Sequence, residues 1–178
     1  MSVQIAELIL LLAVCLYTDL REQKIKNKFS VPLALLGFLT NLVLPGAGWA
    51  NSLWGMVLPF AVFFPFFYLR MFRAGDIKAM MAIGAIMGYR FIGNAIFFIF
   101  AVGLLVSIFK MILYRNAKER LGNLGRYFLL FFQTLRLAPY EASGAYDKSA
   151  HFPFSIAIAA GCLINLAAEY MGFYIFFR

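Results

Sequence analysis

Two aspartates, Asp19 and Asp76, are the residues of this chain whose type and position best suit chemistry. Only eight of the 178 residues are acidic, and both aspartates adjoin long apolar stretches. An acidic side chain near hydrocarbon is energetically costly, which points to a functional role. Two carboxyl groups in contact cannot both ionise easily, so they share a proton, and one can accept a proton from water while the other donates to a carbonyl group. The pair therefore predicts acid–base hydrolysis.

The neighbourhood of each aspartate leaves a second interpretation open. An aspartate at a helix end beside a cation, such as Asp19 near Arg21 or Asp76 near Lys78, is often only an interfacial charge. For Asp19 alone, that interpretation is the stronger one. Asp76 directly follows Gly75, whose missing side chain lets a substrate backbone approach closely. This context favours a functional role for Asp76.

Other kinds of chemistry have little support in the sequence. Cys15 and Cys162 lie inside apolar stretches and His151 is the single histidine, so neither a zinc or haem site nor any other cofactor is expected. Serine nucleophile chemistry lacks a Gly-x-Ser-x-Gly motif. The net charge of +8 does not predict nucleic-acid binding, because the basic residues alternate with apolar blocks instead of forming one patch.

The elements that must position the aspartates are predicted to be transmembrane helices. Hydrophobic residues make up 63% of the chain and the mean hydropathy is +0.83, so a soluble globule could not cover its apolar surface. A spanning helix needs about 20 apolar residues, which allows roughly six crossings. The prediction is an all-α polytopic membrane protein, a bundle of six transmembrane helices in a single domain over residues 1–178. The predicted spans are Val3 to Tyr17 or Leu20, Phe29 to Leu44, Leu53 to Leu69, Ile77 to Tyr89, Gly93 to Leu113 and Phe152 to Phe176.

The basic residues orient these spans, because cytoplasmic loops carry the excess of Lys and Arg. With both termini outside, fourteen basic residues fall on the cytoplasmic side, and only Arg90 and Arg178 fall outside. A prediction with one crossing fewer would place every later loop on the other side of the membrane and remove this separation of charge. The same topology brings Asp19 and Asp76 to one depth, at the cytoplasmic ends of the first and fourth helices.

Residues 114–150 are predicted to form an interfacial or cytoplasmic segment between the fifth and sixth helices. Apolar side chains recur there at helical spacing between Arg126 and Arg136, which is typical of a helix lying in the membrane interface. An ordinary loop packed under the bundle is an equal alternative. The recurring residues are Leu124, Tyr127, Phe128, Phe131, Phe132 and Leu135.

Three separate stretches of the chain combine into a family resemblance. Residues 19–27 read Asp-Leu-Arg-Glu-Gln-Lys-Ile-Lys-Asn, residues 73–78 read Arg-Ala-Gly-Asp-Ile-Lys, and residues 152–161 begin Phe-Pro-Phe-Ser before small residues. They resemble the type IV prepilin peptidases, which belong to the GxGD class of membrane aspartic proteases. The family patterns are an aspartate followed after a short spacer by Ile-Pro-Asn, then Gly-x-Gly-Asp-x-Lys at the start of the fourth helix, then a Pro-aromatic phrase at the start of the last helix. Lys26 replaces the family's proline and Arg73 its first glycine, but both aspartates are kept.

The resemblance implies a function and a set of roles. Asp19 and Asp76 would be the catalytic pair of an intramembrane aspartic endopeptidase, with Gly75, Lys78 and Asn27 supporting the site. The substrates would be prepilin or pseudopilin-like membrane proteins of a type IV pilus or protein secretion system. Cleavage would occur at the cytoplasmic face of a prokaryotic inner membrane. The chain resembles the short family members, so cleavage is expected without methylation. The oligomeric state is left open.

Two hypotheses from other functional classes compete with proteolysis. A small transporter in which Asp19 and Asp76 bind a cation or a proton predicts acids near the bilayer midplane, whereas both aspartates are predicted at helix ends. A noncatalytic assembly protein of a pilus or secretion system is the other alternative. Loss of both aspartates without loss of phenotype would favour it.

Overall fold

A computed structural model describes residues 2–22, 27–43, 48–68, 72–114, 122, 125–126, 129 and 153–177. Six long helices account for most of these residues, and no strand occurs in the described ranges. The helices are α1 (Ser2–Glu22), α2 (Asn27–Val43), α3 (Trp49–Tyr68), α4 (Ala74–Met87), α5 (Tyr89–Leu113) and α6 (Ser155–Tyr170). The predicted all-α class and the number of helices are therefore confirmed.

The fourth helix lies at the centre of the bundle. Helices α1, α2, α3, α5 and α6 form a closed ring, because each contacts the next and α6 contacts α1. Inside the ring, α4 packs against α1, α2, α3 and α5. Most of its side chains are consequently buried, from Asp76 to Ile86. A helix surrounded by other helices needs no polar face, which explains why α4 is apolar around nearly its whole circumference.

Hydrogen bonds between the helices show that the chain reverses direction from one helix to the next. Gln4 of α1 donates to Asn41 near the end of α2 (2.7 Å), and Ser52 near the start of α3 donates to the Ala85 carbonyl near the end of α4. Two ends of the bundle follow from this alternation. The aspartate end holds the last turn of α1 and the first turns of α4 and α6, and the opposite end holds the start of α1 and the end of α4.

Helix α4 is short, and its end is completed by side chains from its neighbours. Its 14 residues extend about 21 Å at the usual rise of an α-helix, less than the hydrocarbon thickness of about 30 Å. The last carbonyl groups of a helix have no partner inside it. Asn41 of α2 donates to the carbonyls of Ala85 and Ile86, both at 2.8 Å. The ring thereby supplies the partners that a longer helix would supply itself.

The helices α3 and α4 cross with their backbones in contact at Gly55 and Gly84. A Cβ atom on either glycine would collide with the backbone of the other. The Gly84-xxx-Gly88 spacing is typical of such close helix approach in membranes, and the partner helix is α3.

Several helix boundaries differ from the sequence prediction by a few residues, including the starts of α3 and α5, and two of the differences have a clear local description. Helix α4 begins at Ala74 instead of Ile77, so Asp76 lies inside its first turn. Helix α6 ends at Tyr170 instead of continuing to Phe176. Gly172 has a left-handed backbone (φ 77), and the amides of Gly172 and Phe173 bond to the carbonyls of Glu169 and Ala168. This Schellman arrangement ends a helix even where the following residues are apolar.

Three helices, α1, α3 and α5, are long and apolar enough to cross a membrane, and α2 and α6 are shorter apolar helices. Apolar side chains also cover much of the outer surface of the described bundle, including Leu104, Leu105 and Ile112 on α5. The protein is therefore a helical membrane protein. The predicted interfacial helix between Arg126 and Arg136 lies mostly outside the described residues.

Candidate active site

Asp19 belongs to the buried stripe of α1. The buried residues of this helix recur three and four positions apart, as expected for one face of a helix. They are Leu8, Leu11, Leu12, Cys15, Thr18 and Asp19. The stripe is apolar for most of its length and ends in a carboxyl group, and Asp19 is only 3% exposed. An acidic residue in register with a core stripe faces the bundle, whereas an interfacial charge would face solvent.

Asp76 is held at the start of α4 by local helix chemistry. Arg73 is the N-cap residue and makes no side-chain cap. The Asp76 carboxyl accepts a hydrogen bond from the Arg73 backbone amide and is attracted by the Arg73 guanidinium. A carboxyl group at the third helical position commonly reaches back to the N-cap amide in this way, and the helix start favours its negative charge. Asp76 is nevertheless 6% exposed, so most of the carboxyl is withdrawn from solvent.

The two aspartates lie close to each other between α1 and α4. Their negative charges interact, and both also interact with the Cys15 thiol one turn before Asp19. Two carboxyl groups that face each other away from water can share a single proton. The expected juxtaposition of Asp19 and Asp76 is therefore present in the fold.

A third element reaches the pair from α6. The Ser155 amide at the first position of α6 donates to Asp19 Oδ2 at 3.3 Å, and Ser155 is 2% exposed. Unbonded amides at a helix start attract negative charge, so α6 complements the carboxylate form of Asp19. The Pro-aromatic phrase marks this position in the sequence, but the phrase by itself predicts no role for Ser155. The signal available was a hydroxyl residue opening a helix directly after that phrase.

The other predicted site residues are arranged less closely around the pair. Gly75 lies in the first turn of α4 beside Asp76, and Lys78 is partly buried two residues after Asp76. Residues two apart on a helix do not face each other, so α4 directs Lys78 and Asp76 to different sides. Asn27 begins α2, and its side chain lies outside the described residues.

An aromatic cluster fixes the two chain segments that lead into the site. It consists of Phe63 and Phe66 of α3, Phe72 before α4, Phe100 of α5 and Phe154 before α6. Phe72 is one residue before the N-cap of α4, and its ring lies 5.3 Å from the ring of Phe154, one residue before Ser155. Aromatic contacts of this kind are individually modest but additive in area. The cluster thus ties the first turn of α4 to the first turn of α6.

Metal chemistry has no ligand set in the part of the chain that the structure describes. No group of three or more histidine, cysteine, aspartate or glutamate side chains is close enough there to hold a metal ion. The arrangement can instead bind and activate water between two carboxyl groups.

The model of the type IV leader peptidase family matches residues 6–111. The matched range contains both aspartates, Gly75, Lys78 and Asn27, and it extends from α1 to the end of α5. No curated protein and no solved structure matches the chain at a significant level.

Proposed function

The chain belongs to the type IV leader peptidase family, and from this premise we propose that it is an intramembrane aspartic endopeptidase with Asp19 and Asp76 as its catalytic pair. The family assignment makes it a protease-like integral membrane protein. The proposal adds the chemical class of the protease and the residues that carry it.

One observation carries the proposal: two buried carboxyl groups from different helices are in electrostatic contact. Burying two like charges together is unfavourable for folding, and natural proteins tolerate such arrangements mainly at functional sites. Arg73 attracts the Asp76 carboxyl and the Ser155 amide bonds to Asp19, but an apolar residue at either position would fold without the repulsion between the two carboxyls. A catalytic role needs one ionised and one protonated carboxyl side by side.

The chemistry follows from a shared proton. The ionised carboxylate takes a proton from a water molecule, and the water oxygen attacks the carbonyl carbon of the scissile peptide bond. The protonated carboxyl donates its proton to the carbonyl oxygen, which gives a neutral gem-diol. Proton transfer to the amide nitrogen then breaks the C–N bond and releases the leader carboxylate and a new amino terminus. Gly75, Lys78 and Asn27 are proposed to support this site.

The proposed substrates are prepilin or pseudopilin-like proteins, whose own apolar helix would share the bilayer with the enzyme. We place the aspartate end at the cytoplasmic face of a prokaryotic inner membrane, with both termini outside and one peptidase domain. Charge supports this orientation, because basic residues occupy the aspartate end, whereas Arg90 lies at the start of α5 at the opposite end. The basic residues include Arg21, Lys28, Arg73 and Lys110. A role in type IV pilus assembly or protein secretion follows from the substrate class.

The competing functions predict other arrangements of the same residues. A cation or proton transporter would hold its acids near the middle of the membrane, but Asp19 lies in the last turn of α1 and Asp76 in the first turn of α4. A noncatalytic assembly protein would have no use for a coupled carboxyl pair. Both alternatives predict that prepilin is not cut.

The deciding experiment is cleavage of an epitope-tagged type IV prepilin in detergent micelles, followed by a gel shift. Wild type is expected to release the leader, and Asp19→Asn and Asp76→Asn are each expected to reduce cleavage at least about 10³-fold, since each removes one partner of the proton exchange. Glu22→Gln is the matched control, because Glu22 is an exposed acid three residues after Asp19. Cleavage by the Asp19→Asn, Asp76→Asn double variant would refute the proposal.

A further inference from the structure

The hydroxyl group of Ser155 is unusual among the buried polar groups that the structure describes. Buried hydroxyl groups elsewhere have partners: Thr18 donates to the Val14 carbonyl at 2.9 Å, and Ser52 donates to the Ala85 carbonyl. In the described ranges, only Ser155 Oγ and Glu7 Oε2 are buried side-chain atoms with no hydrogen-bond partner. Glu7 is partly exposed and uses its other oxygen to accept from Thr40, whereas Ser155 is 2% exposed.

An unpaired buried hydroxyl destabilises the folded state, because it has lost its hydrogen bonds to water without replacement. Alanine would occupy the same space and begin the same helix without this loss. Folding stability therefore does not explain why residue 155 carries a hydroxyl group. Unsatisfied polar groups in native structures are expected at functional positions.

The position of this hydroxyl is defined by the backbone of the same residue. The Ser155 amide bonds to Asp19 Oδ2, so the hydroxyl belongs to a residue in direct contact with Asp19. A serine hydroxyl can both donate and accept, and it rotates to suit its partner. These are the properties needed to hold a small polar reactant next to Asp19.

We propose that Ser155 is a further catalytic residue, whose Oγ binds the water molecule that Asp19 and Asp76 activate. This inference rests on the proposed protease function. The attacking water donates one O–H to the ionised carboxylate and the other to Ser155 Oγ, which leaves a lone pair of the water oxygen directed at the scissile carbonyl. The Ser155 amide meanwhile keeps Asp19 in place. Three helices, α1, α4 and α6, would thus each contribute one group to the reaction.

The test compares two serine-to-alanine variants of the full chain with wild type. Ser155→Ala removes an unpaired hydroxyl from a residue in direct contact with Asp19 and leaves the amide bond to Asp19 intact. Ser52→Ala is the matched control, because it removes a paired hydroxyl at the opposite end of the bundle. Each protein is assayed on the same prepilin for kcat, KM and the pH profile of cleavage. Thermal unfolding is followed with a fluorescent maleimide that reacts with Cys15 and Cys162, which are both buried.

For Ser155→Ala we expect kcat to fall about 10- to 100-fold with KM and the pH profile unchanged, and the unfolding midpoint to stay the same or rise. For Ser52→Ala we expect a lower unfolding midpoint and an unchanged kcat per folded molecule. One variant thus loses kcat without losing stability, and the other loses stability without losing kcat. This difference distinguishes a water-binding hydroxyl from a structural one.

Several results would overturn the inference while leaving the protease function intact. They are an unchanged kcat in Ser155→Ala, a lower unfolding midpoint or failure to fold, and a shifted pH profile, which would mean that the hydroxyl acts on the carboxyl pair instead of on water. If wild type itself does not cleave prepilin, the proposed function fails, and the role of Ser155 fails with it.

Discussion

The two ends of the helix bundle use buried polar side chains in different ways. At the opposite end, Asn41 and Ser52 donate to the last carbonyls of α4, and Asn94 bonds to the backbone of the chain after α6. At the aspartate end, Asp19 and Asp76 are buried as like charges, and the Ser155 hydroxyl has no partner among the described residues.

This difference shows where the fold gains stability and where it gives stability up. Pairing a buried polar group stabilises the protein modestly, whereas leaving one unpaired costs about 1–3 kcal/mol. The opposite end completes helix ends that the membrane could not hydrate. On the proposed function, the aspartate end keeps hydrogen-bonding groups free for a reactant, and a loss of stability in favour of function is common at active sites. Glu7 Oε2 is the one unpaired atom at the opposite end within the described ranges, on a side chain that is partly exposed.

The strongest test of this contrast is a substitution at one of the aspartates, which should lower activity without lowering stability. Asp76→Asn is expected to lower cleavage about 10³-fold or more while the unfolding midpoint stays the same or rises, because a neutral amide replaces a buried acid that lies near a second acid. Gel-shift assays and maleimide-monitored unfolding of the same preparation measure both. A large fall in the midpoint would mean that the carboxyl pair is structural.

The backbone contact between α3 and α4 is expected to show the next largest effect. Gly84→Ala should destabilise the protein by about 3 kcal/mol, since the new Cβ has only the Gly55 backbone in front of it. Gly103→Ala is the matched control, because its Cβ would meet a side-chain ring atom of Phe154 at 3.3 Å and no backbone atom. Chemical unfolding in mixed micelles measures the difference. Equal stability of the two variants would show that the crossing can relax.

At the opposite end, the Asn94 side chain forms hydrogen bonds to the backbone of the chain that follows α6. Its side-chain amide donates to the Phe177 carbonyl at 2.8 Å and accepts from the amides of Phe176 (2.8 Å) and Phe177 (3.1 Å). Asn94→Ala removes all three bonds and is expected to cost about 2 kcal/mol of stability. The cleavage rate per folded molecule should not change. A rate that falls more than the folded fraction would show that the two ends are energetically coupled.

The smallest predicted effect concerns the aromatic cluster at the aspartate end. Phe72→Ala is expected to lower kcat about tenfold, because the first turns of α4 and α6 lose a common anchor and the reacting groups lose alignment. Phe60→Ala is a suitable control, since the ring of Phe60 is exposed and pairs with Phe64. If both variants cleave prepilin at the same rate, the cluster contributes only to packing.

Much of the site was predictable because its signals are local in the sequence. Asp19 and Asp76 stood out as acids beside apolar runs, and the family motifs around them named Gly75, Lys78 and Asn27. Helix boundaries were less predictable where backbone chemistry overrides hydropathy. The apolar residues after Tyr170 resembled a continuing span, but the left-handed Gly172 turns the chain. Helix α4 likewise begins three residues earlier than predicted, at Ala74 with Arg73 as its N-cap, so Asp76 lies in its first turn and not before the helix.

The sequence by itself determined the helical membrane class and the six long helices of the described ranges, and it singled out the two aspartates as candidates, because run length, hydropathy and misplaced charge are properties of neighbouring residues. Only the tertiary structure decided that α4 is the central helix, that Gly84 meets Gly55, and that Ser155 joins Asp19. The last of these contacts links residues 136 positions apart. Such contacts depend on how six apolar helices pack around one another, and hydropathy is nearly the same for every arrangement of them.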